Sequence, residues 1–241
     1  MTTITYEELK SASKLSYVVD LANINNVDPA NDSPNPETFG LNTDWKVVKN
    51  KDILDRALTT NTESAVNKLQ ELSLEFAVLK NTTTGSYMLS YAGTDSWTDI
   101  KADVKVALNQ TTEQMEIAVA IGAAVKAIAG NNEVIVTGHS QGGARAQAAA
   151  ALNGLKSVTF DTPGMKKEIM SLYDKQHPNA TTAEREAFLK QQETSHIAIN
   201  KDGSFVSGSP LTSDHVGGEI EIPRTNMEKV LDVITLAAGA A

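Results

Sequence analysis

The stretch that most constrains the fold is residues 134–143, Val-Ile-Val-Thr-Gly-His-Ser-Gln-Gly-Gly. Val134-Ile135-Val136-Thr137 is β-branched throughout and reads as a buried strand. Ala144 to Leu152 is Ala-rich, free of breakers, and reads as a helix. Between them lies the Gly-x-Ser-x-Gly turn Gly138-His139-Ser140-Gln141-Gly142. Such a turn crowds its own backbone, so side chains at 138 and 142 would clash, and Gly143 lets the helix sit close to the strand. The turn lifts one serine Oγ clear of the sheet as a nucleophile. A bare Gly-x-Ser-x-Gly is a weak signal, and the strand before and helix after are what make it specific. A plain strand–turn–helix junction is the competing reading.

The rest of the chain alternates strands and helices around this elbow. Tyr6 to Ala22 carries Leu9, Ala12, Leu15 and Val19 at near-helical spacing, and Asn23 to Asp44 reads as a Pro-, Asn- and Asp-rich surface loop. Trp45 to Val48 is a candidate strand, and Asp52 to Leu72 has mixed helical signal. Leu74 to Lys80 and Tyr87 to Tyr91 form a hairpin pattern around a turn at Asn81 to Gly85. Asp99 to Leu108 is a short helical pattern, and Thr111 to Ala129 a longer helix stopped by Gly130. After the elbow helix, Ser157 to Phe160 is a strand, and Met165 to Thr194 a charged excursion of one or two helices projecting from the sheet. His196 to Asn200 alternates as a strand, and Asn226 to Ala238 closes the chain as an amphipathic helix. This order implies one α/β domain over 1–241, with a mostly parallel central sheet and helices on both faces.

Charge and composition narrow the partners. The net charge of −9 and the lack of a Lys/Arg cluster argue against nucleic acid. They also argue against electrostatic capture by anionic lipid, but leave transient hydrophobic contact with a lipid surface open. There is no cysteine, hence no disulfide framework and no thiolate chemistry. The start lacks a basic region followed by an apolar run, so no signal peptide is visible, and Ile117 to Ile128 is too short to span a bilayer. A bacterial cytoplasm and signal-peptide-independent export are both compatible, and oligomeric state is not legible.

A serine hydroxyl needs a base to take its proton, and the base needs a carboxylate to fix its tautomer. In an elbow fold the chain order is Ser, acid, His. Four histidines are available. His139 neighbours the nucleophile and must point elsewhere, His177 lies in the charged excursion, and His196 sits on an alternating strand as a satisfied histidine. His215 follows a polar loop late in the chain and suits a general base. For the acid, Asp202 follows the strand ending at Asn200, where functional residues of open α/β sheets gather. Asp161 also ends a strand and is the rival, while Asp214 is too close in sequence to His215 to align with it.

The motifs together resemble the class 3 lipases among the α/β-hydrolases, a family that includes bacterial lipases and phospholipases. Gly138-His139-Ser140-Gln141-Gly142-Gly143-Ala144 is similar to that family's Gly-His-Ser-Leu-Gly-Gly-Ala. Ser90-Tyr91-Ala92-Gly93-Thr94-Asp95-Ser96-Trp97-Thr98-Asp99 is similar to its Phe-Arg-Gly-Thr-x-Ser-x-x-Asp. Thr159 to Gly164 and Asn200 to His215 resemble the strand after the elbow helix and the acid-then-histidine end. Ala92 stands where the family carries arginine, and Gln141 where it carries leucine. The resemblance supports Asp202 over Asp161. It also implies an oxyanion hole from Thr94 with the backbone N–H of Gln141, the latter following from the elbow itself. A lid is implied over Ser96 to Ala107, with Trp97 and Ile100 on one face, although a core-facing helix has the same pattern.

These residues imply a serine hydrolase cleaving carboxylic esters, with no metal or cofactor required. Acyl lipids are the substrate class the resemblance suggests. A small-ester or polyester esterase, and a non-catalytic binding domain that retains the fold, stand as alternatives.

Overall fold

The computed structural model describes residues 4–16, 35–48, 50–57, 67–69, 71–72, 74–93, 111–201 and 214–222. The sheet is built from β1 (Trp45–Val47), β2 (Phe76–Asn81), β3 (Tyr87–Tyr91), β4 (Val134–His139), β5 (Lys156–Phe160), β6 (His196–Lys201) and β7 (Gly218–Ile222). Its seven strands lie side by side in sequence order. β1–β2 and β2–β3 are antiparallel, and every pair from β3 to β7 is parallel. Among the described residues the principal helices are α1 (Tyr6–Leu15), α2 (Asn50–Ala57), α3 (Thr111–Ala129), α4 (Gln141–Asn153), α5 (Lys166–Gln176) and α6 (Thr182–Ser195).

Both faces of the sheet are covered, which is why the inner strands read as apolar runs rather than alternating ones. On one face, Val78, Leu89, Tyr91, Val134 and Val136 pack against Ile121 and Val125 of α3 and Ala146, Ala149 and Ala150 of α4. On the other, Leu79, Met88, Val158, Phe160 and Ile199 pack against Tyr6, Leu9 and Leu15 of α1 and against Trp45. The alanines of α4 serve close packing, since a Cβ added at Gly122 of α3 would lie 3.2 Å from Ala149 Cβ. α4 is therefore wedged between α3 and the sheet with little room for larger residues.

Most expected elements are present. The hairpin pairs Phe76 with Tyr91, and its turn is closed by Asn81 Oδ1 accepting from the Thr83 and Thr84 amides, with Gly85 at φ 77°. α3 spans Thr111–Ala129 and stops at Gly130 with φ 61°, as its sequence predicts. α1 and α6 each start with a capping box, Thr5 with Glu8 and Thr181 with Glu184. Two features differ from expectation. The charged excursion does not simply project: Met165, Ile169 and Leu172 are buried against Ala144 and Ala148, while α6 is largely exposed. β7 was not anticipated, although Gly218-Glu219-Ile220-Glu221-Ile222 alternates as an edge strand should. The expected helices at 99–108 and 226–238 lie outside the described residues. Among the described residues no helix is long and apolar enough to cross a membrane.

Candidate active site

β4 hands directly to α4 through Ser140, whose backbone sits at φ 56°, ψ −126°. An L-residue is strained in that conformation and glycine is not. Two close approaches hold it there. A Cβ at Gly138 would lie 2.8 Å from the Gly143 amide nitrogen, and one at Gly142 would lie 2.7 Å from the Ala92 carbonyl carbon at the end of β3. The glycines thus allow α4 to start immediately above the sheet, against the neighbouring strand. Ser140 donates its amide to Phe160 O at 3.0 Å. Its carbonyl accepts from the Gly143 amide at 3.0 Å and from Thr162 Oγ1 at 3.1 Å. The residue is only 2% exposed. Gln141 opens α4, so its N–H belongs to the first turn, at the positive end of the helix dipole.

His215 lies on the α4 side of the sheet, with its side chain 7% exposed. Its Nδ1 is 3.2 Å from Gln147 Nε2, two turns along α4 from the elbow. Its Nε2 is 3.4 Å from Asn200 Nδ2 and 3.6 Å from Glu219 Oε1. Asn200, fully buried at the carboxyl end of β6, joins the two halves of the site. Its Oδ1 accepts from the Thr162 amide at 3.0 Å, and its Nδ2 donates to Glu219 Oε1 at 2.6 Å. A bonded path therefore runs from the Ser140 carbonyl through Thr162 and Asn200 to the surroundings of His215. No hydrogen bond joins the Ser140 hydroxyl to the imidazole among the described residues. Burial lowers the His215 pKa, and the charges of Glu219 and Asp214 partly oppose it. The ring is accordingly neutral at neutral pH, the state a general base requires.

The other histidines behave as the sequence implies. His139 shares a face of β4 with Ile135, the face that packs against α1, and its Nε2 lies 4.0 Å from Asp161 Oδ2. The rival acid therefore faces a different imidazole. His177 is exposed and lies against the Tyr173 ring. His196 is 2% exposed, with Nδ1 2.8 Å from Ser157 Oγ and Nε2 2.5 Å from Gln192 Oε1. Burial without a counter-charge drives its pKa down to about 4. Thr94, Trp97, Ile100 and Asp202 lie outside the described residues.

Four polar residues around the site escaped sequence reasoning: Arg145, Gln147, Asn200 and Glu219. Two had a signal. Arg145 and Gln147 interrupt an alanine helix that is buried on every side, and polar groups there require partners.

The phospholipase-like family described as the Tle-like phospholipase domain matches residues 28–199, well over half of the chain. The chain belongs to this family. Within it, the likeness to class 3 lipases holds. A segment of 79 residues is 37% identical to the extracellular phospholipase A1 of Serratia liquefaciens, covering 33% of this chain and 24% of that protein. The matched part is thus about a quarter of the relative's length. Lip2 lipase of Yarrowia lipolytica is similar in structure, with a TM-score of 0.53 at 16% identity, covering 90% of this chain and 77% of that one. The α/β-hydrolase fold is shared with that lipase.

Proposed function

We propose that this phospholipase-like chain is a carboxylic ester hydrolase acting on acyl lipids, phospholipid foremost, through an acyl-enzyme on Ser140. The observation that carries the reading is the left-handed backbone of Ser140 at the β4–α4 junction, locked by Gly138 and Gly142. A serine held in such a conformation between a parallel strand and a buried helix has no packing purpose, and strain of this kind is kept where a reacting atom must be presented. The description of the matched family and the Serratia relative favour phospholipid over small esters or polyesters.

The reaction has two halves. Ser140 Oγ attacks the ester carbonyl while His215 takes its proton, and the oxyanion accepts hydrogen bonds from the Gln141 N–H and from Thr94. The C–O bond to the alcohol then breaks, and His215 returns the proton to the departing alkoxide. Water, deprotonated by His215, releases the fatty acid and regenerates Ser140. Asp202 holds the imidazole with Nε2 toward the serine. In the described geometry Nδ1 faces Gln147 and Nε2 faces Asn200 and Glu219. The productive complex therefore requires the ring to turn toward Ser140. Trp97 and Ile100 are assigned the role of lid residues that contact acyl chains, as the resemblance implies.

The test is a substrate panel: phosphatidylcholine vesicles, a triacylglycerol emulsion and p-nitrophenyl esters from acetate to palmitate, each with wild type and Ser140→Ala. The expected result is phospholipid turnover by the wild type that is lost in the variant. A wild-type chain that hydrolyses none of these esters is a binding domain, and the reading falls.

A further inference from the structure

Arg145 sits in the second turn of α4, five residues after Ser140, and is 3% exposed. Its Nη1 donates to the Ala92 carbonyl at 2.7 Å, and its Nη2 to Gln114 Oε1 of α3 at 2.9 Å. Gln114 in turn donates from Nε2 to the Leu72 carbonyl at 2.7 Å. Ala92 is the residue just past β3, and its amide donates to Glu75 O at 3.0 Å. On its other side lies Gly142, so close that a Cβ there would meet the Ala92 carbonyl. The end of β3 is thus clasped from three directions, and one of them is a guanidinium carried by the helix that begins with Gln141.

An oxyanion hole built from two elements works only if the distance between its donors is fixed. A misplacement of about 1 Å at a reacting centre is enough to lose about 100-fold in rate. Here one donor is proposed at the start of α4, and the other two residues beyond Ala92 in the chain. A fully buried arginine is demanding to accommodate. A hydrophobic side chain would fill the same place in an alanine helix at less expense, so its retention needs a reason beyond packing. The planar fork supplies one, because it spans two acceptors in a fixed geometry that an ammonium group cannot reproduce.

We propose that Arg145 is a positioning residue for the oxyanion hole, holding the carboxyl end of β3 at a set distance from the nucleophile elbow through the Ala92 carbonyl. The inference rests on the proposed roles of Gln141 and Thr94. It touches no substrate, and its effect is to be read through the donors it holds in place.

Ester and thionoester substrates separate this role from a structural one, because the thiocarbonyl sulfur accepts hydrogen bonds poorly and gains little from an oxyanion hole. The variants are Arg145→Met, Arg145→Lys and, as a milder change that keeps the Ala92 contact, Gln114→Leu. kcat and KM are measured on a p-nitrophenyl ester and its thiono counterpart, with circular dichroism and Tm as folding controls. Arg145→Met should lower ester kcat by about 10- to 100-fold with KM within about twofold. The ester-to-thionoester rate ratio should fall by a similar factor. Arg145→Lys should recover part of that ratio, and Gln114→Leu should lose about threefold or less. If Arg145→Met does not fold, Arg145→Lys decides, since its ratio must drop below wild type while Gln114→Leu, which keeps the Ala92 contact, stays closer to wild type than Arg145→Lys. Equal losses on both substrates, or an unchanged ratio, overturn the proposal and leave Arg145 as a packing residue. A wild-type enzyme with no preference for ester over thionoester overturns the oxyanion assignment itself, a different and recognisable failure.

Discussion

Ser140 combines a buried position with φ 56°, ψ −126°, and that pairing inverts an ordinary rule of mutation. Compare Ser140→Ala with Ser140→Gly, both of which remove the hydroxyl. At an unstrained site glycine is the less stable by about 0.7 kcal/mol of backbone entropy, and losing one buried methyl adds about 0.8 kcal/mol. Glycine should then trail alanine by about 1.5 kcal/mol. In the elbow the alanine retains the backbone strain, about 2 kcal/mol at mid-range, and the glycine relieves it. The balance moves to glycine being more stable by about 0.5 kcal/mol, a swing of about 2 kcal/mol from the ordinary case. For a chain of this length that swing corresponds to about 4–8 °C in Tm. Urea unfolding of the two inactive variants, followed by circular dichroism, reads it directly. A glycine variant that trails alanine by about 1.5 kcal/mol would refute the strained elbow, and with it the argument that Ser140 is presented for chemistry.

Three further outcomes are expected. Gly142→Ala forces a Cβ against the Ala92 carbonyl; it should cost about 1–3 kcal/mol in urea unfolding and remove most ester turnover by displacing the elbow. His196 is held neutral by burial, so the unfolded chain takes up a proton below its ordinary pKa of 6.5 while the folded chain resists until about 4. Its contribution is intact above pH 6.5, declines as the pH falls through that window, and amounts to about 3 kcal/mol lost below pH 4. His196→Gln should unfold at lower urea at pH 7 yet show a flatter stability profile between those values, and an equally steep profile would assign the acid sensitivity elsewhere. Asp202→Asn should reduce kcat by as much as about 10⁴-fold, as expected when the orienting carboxylate of a serine–histidine pair is lost. Asp161→Asn should change it far less, because Asp161 lies by His139; the opposite ranking in steady-state kinetics would move the acid to Asp161.

What could be read from the chain alone follows physical range. The elbow, the hairpin at 76–91 and α3 are legible because glycine chemistry, alternation and periodicity act over a few residues. β7 is hard to read because two glutamates and two isoleucines make a five-residue edge strand with weak contrast. The packing of α5 was underestimated for a similar reason. Its three anchors, Met165, Ile169 and Leu172, are diluted among charges, yet they meet Ala144 and Ala148 in space. In the candidate site, the reading of Ser140 and His215 rests on chemistry and chain order, both legible in the sequence. Asn200 and Glu219 are not, since their roles depend on β6 and β7 being neighbours, 19 residues apart in sequence. Ala92 is legible in the sequence as a departure from the class 3 pattern; its tie to Arg145, 53 residues away, depends on the fold.

The central claim is that Ser140 is the acylated nucleophile, and trapping the covalent adduct tests it most directly. The folded chain is treated with a fluorophosphonate, digested with trypsin and examined by mass spectrometry. The account predicts one stoichiometric adduct on the fragment 127–145, which contains Ser140. It should form in step with loss of phosphatidylcholine hydrolysis and be absent from Ser140→Ala. Hydrolysis that survives full labelling, or an adduct on a different serine that accounts for the lost activity, would contradict it.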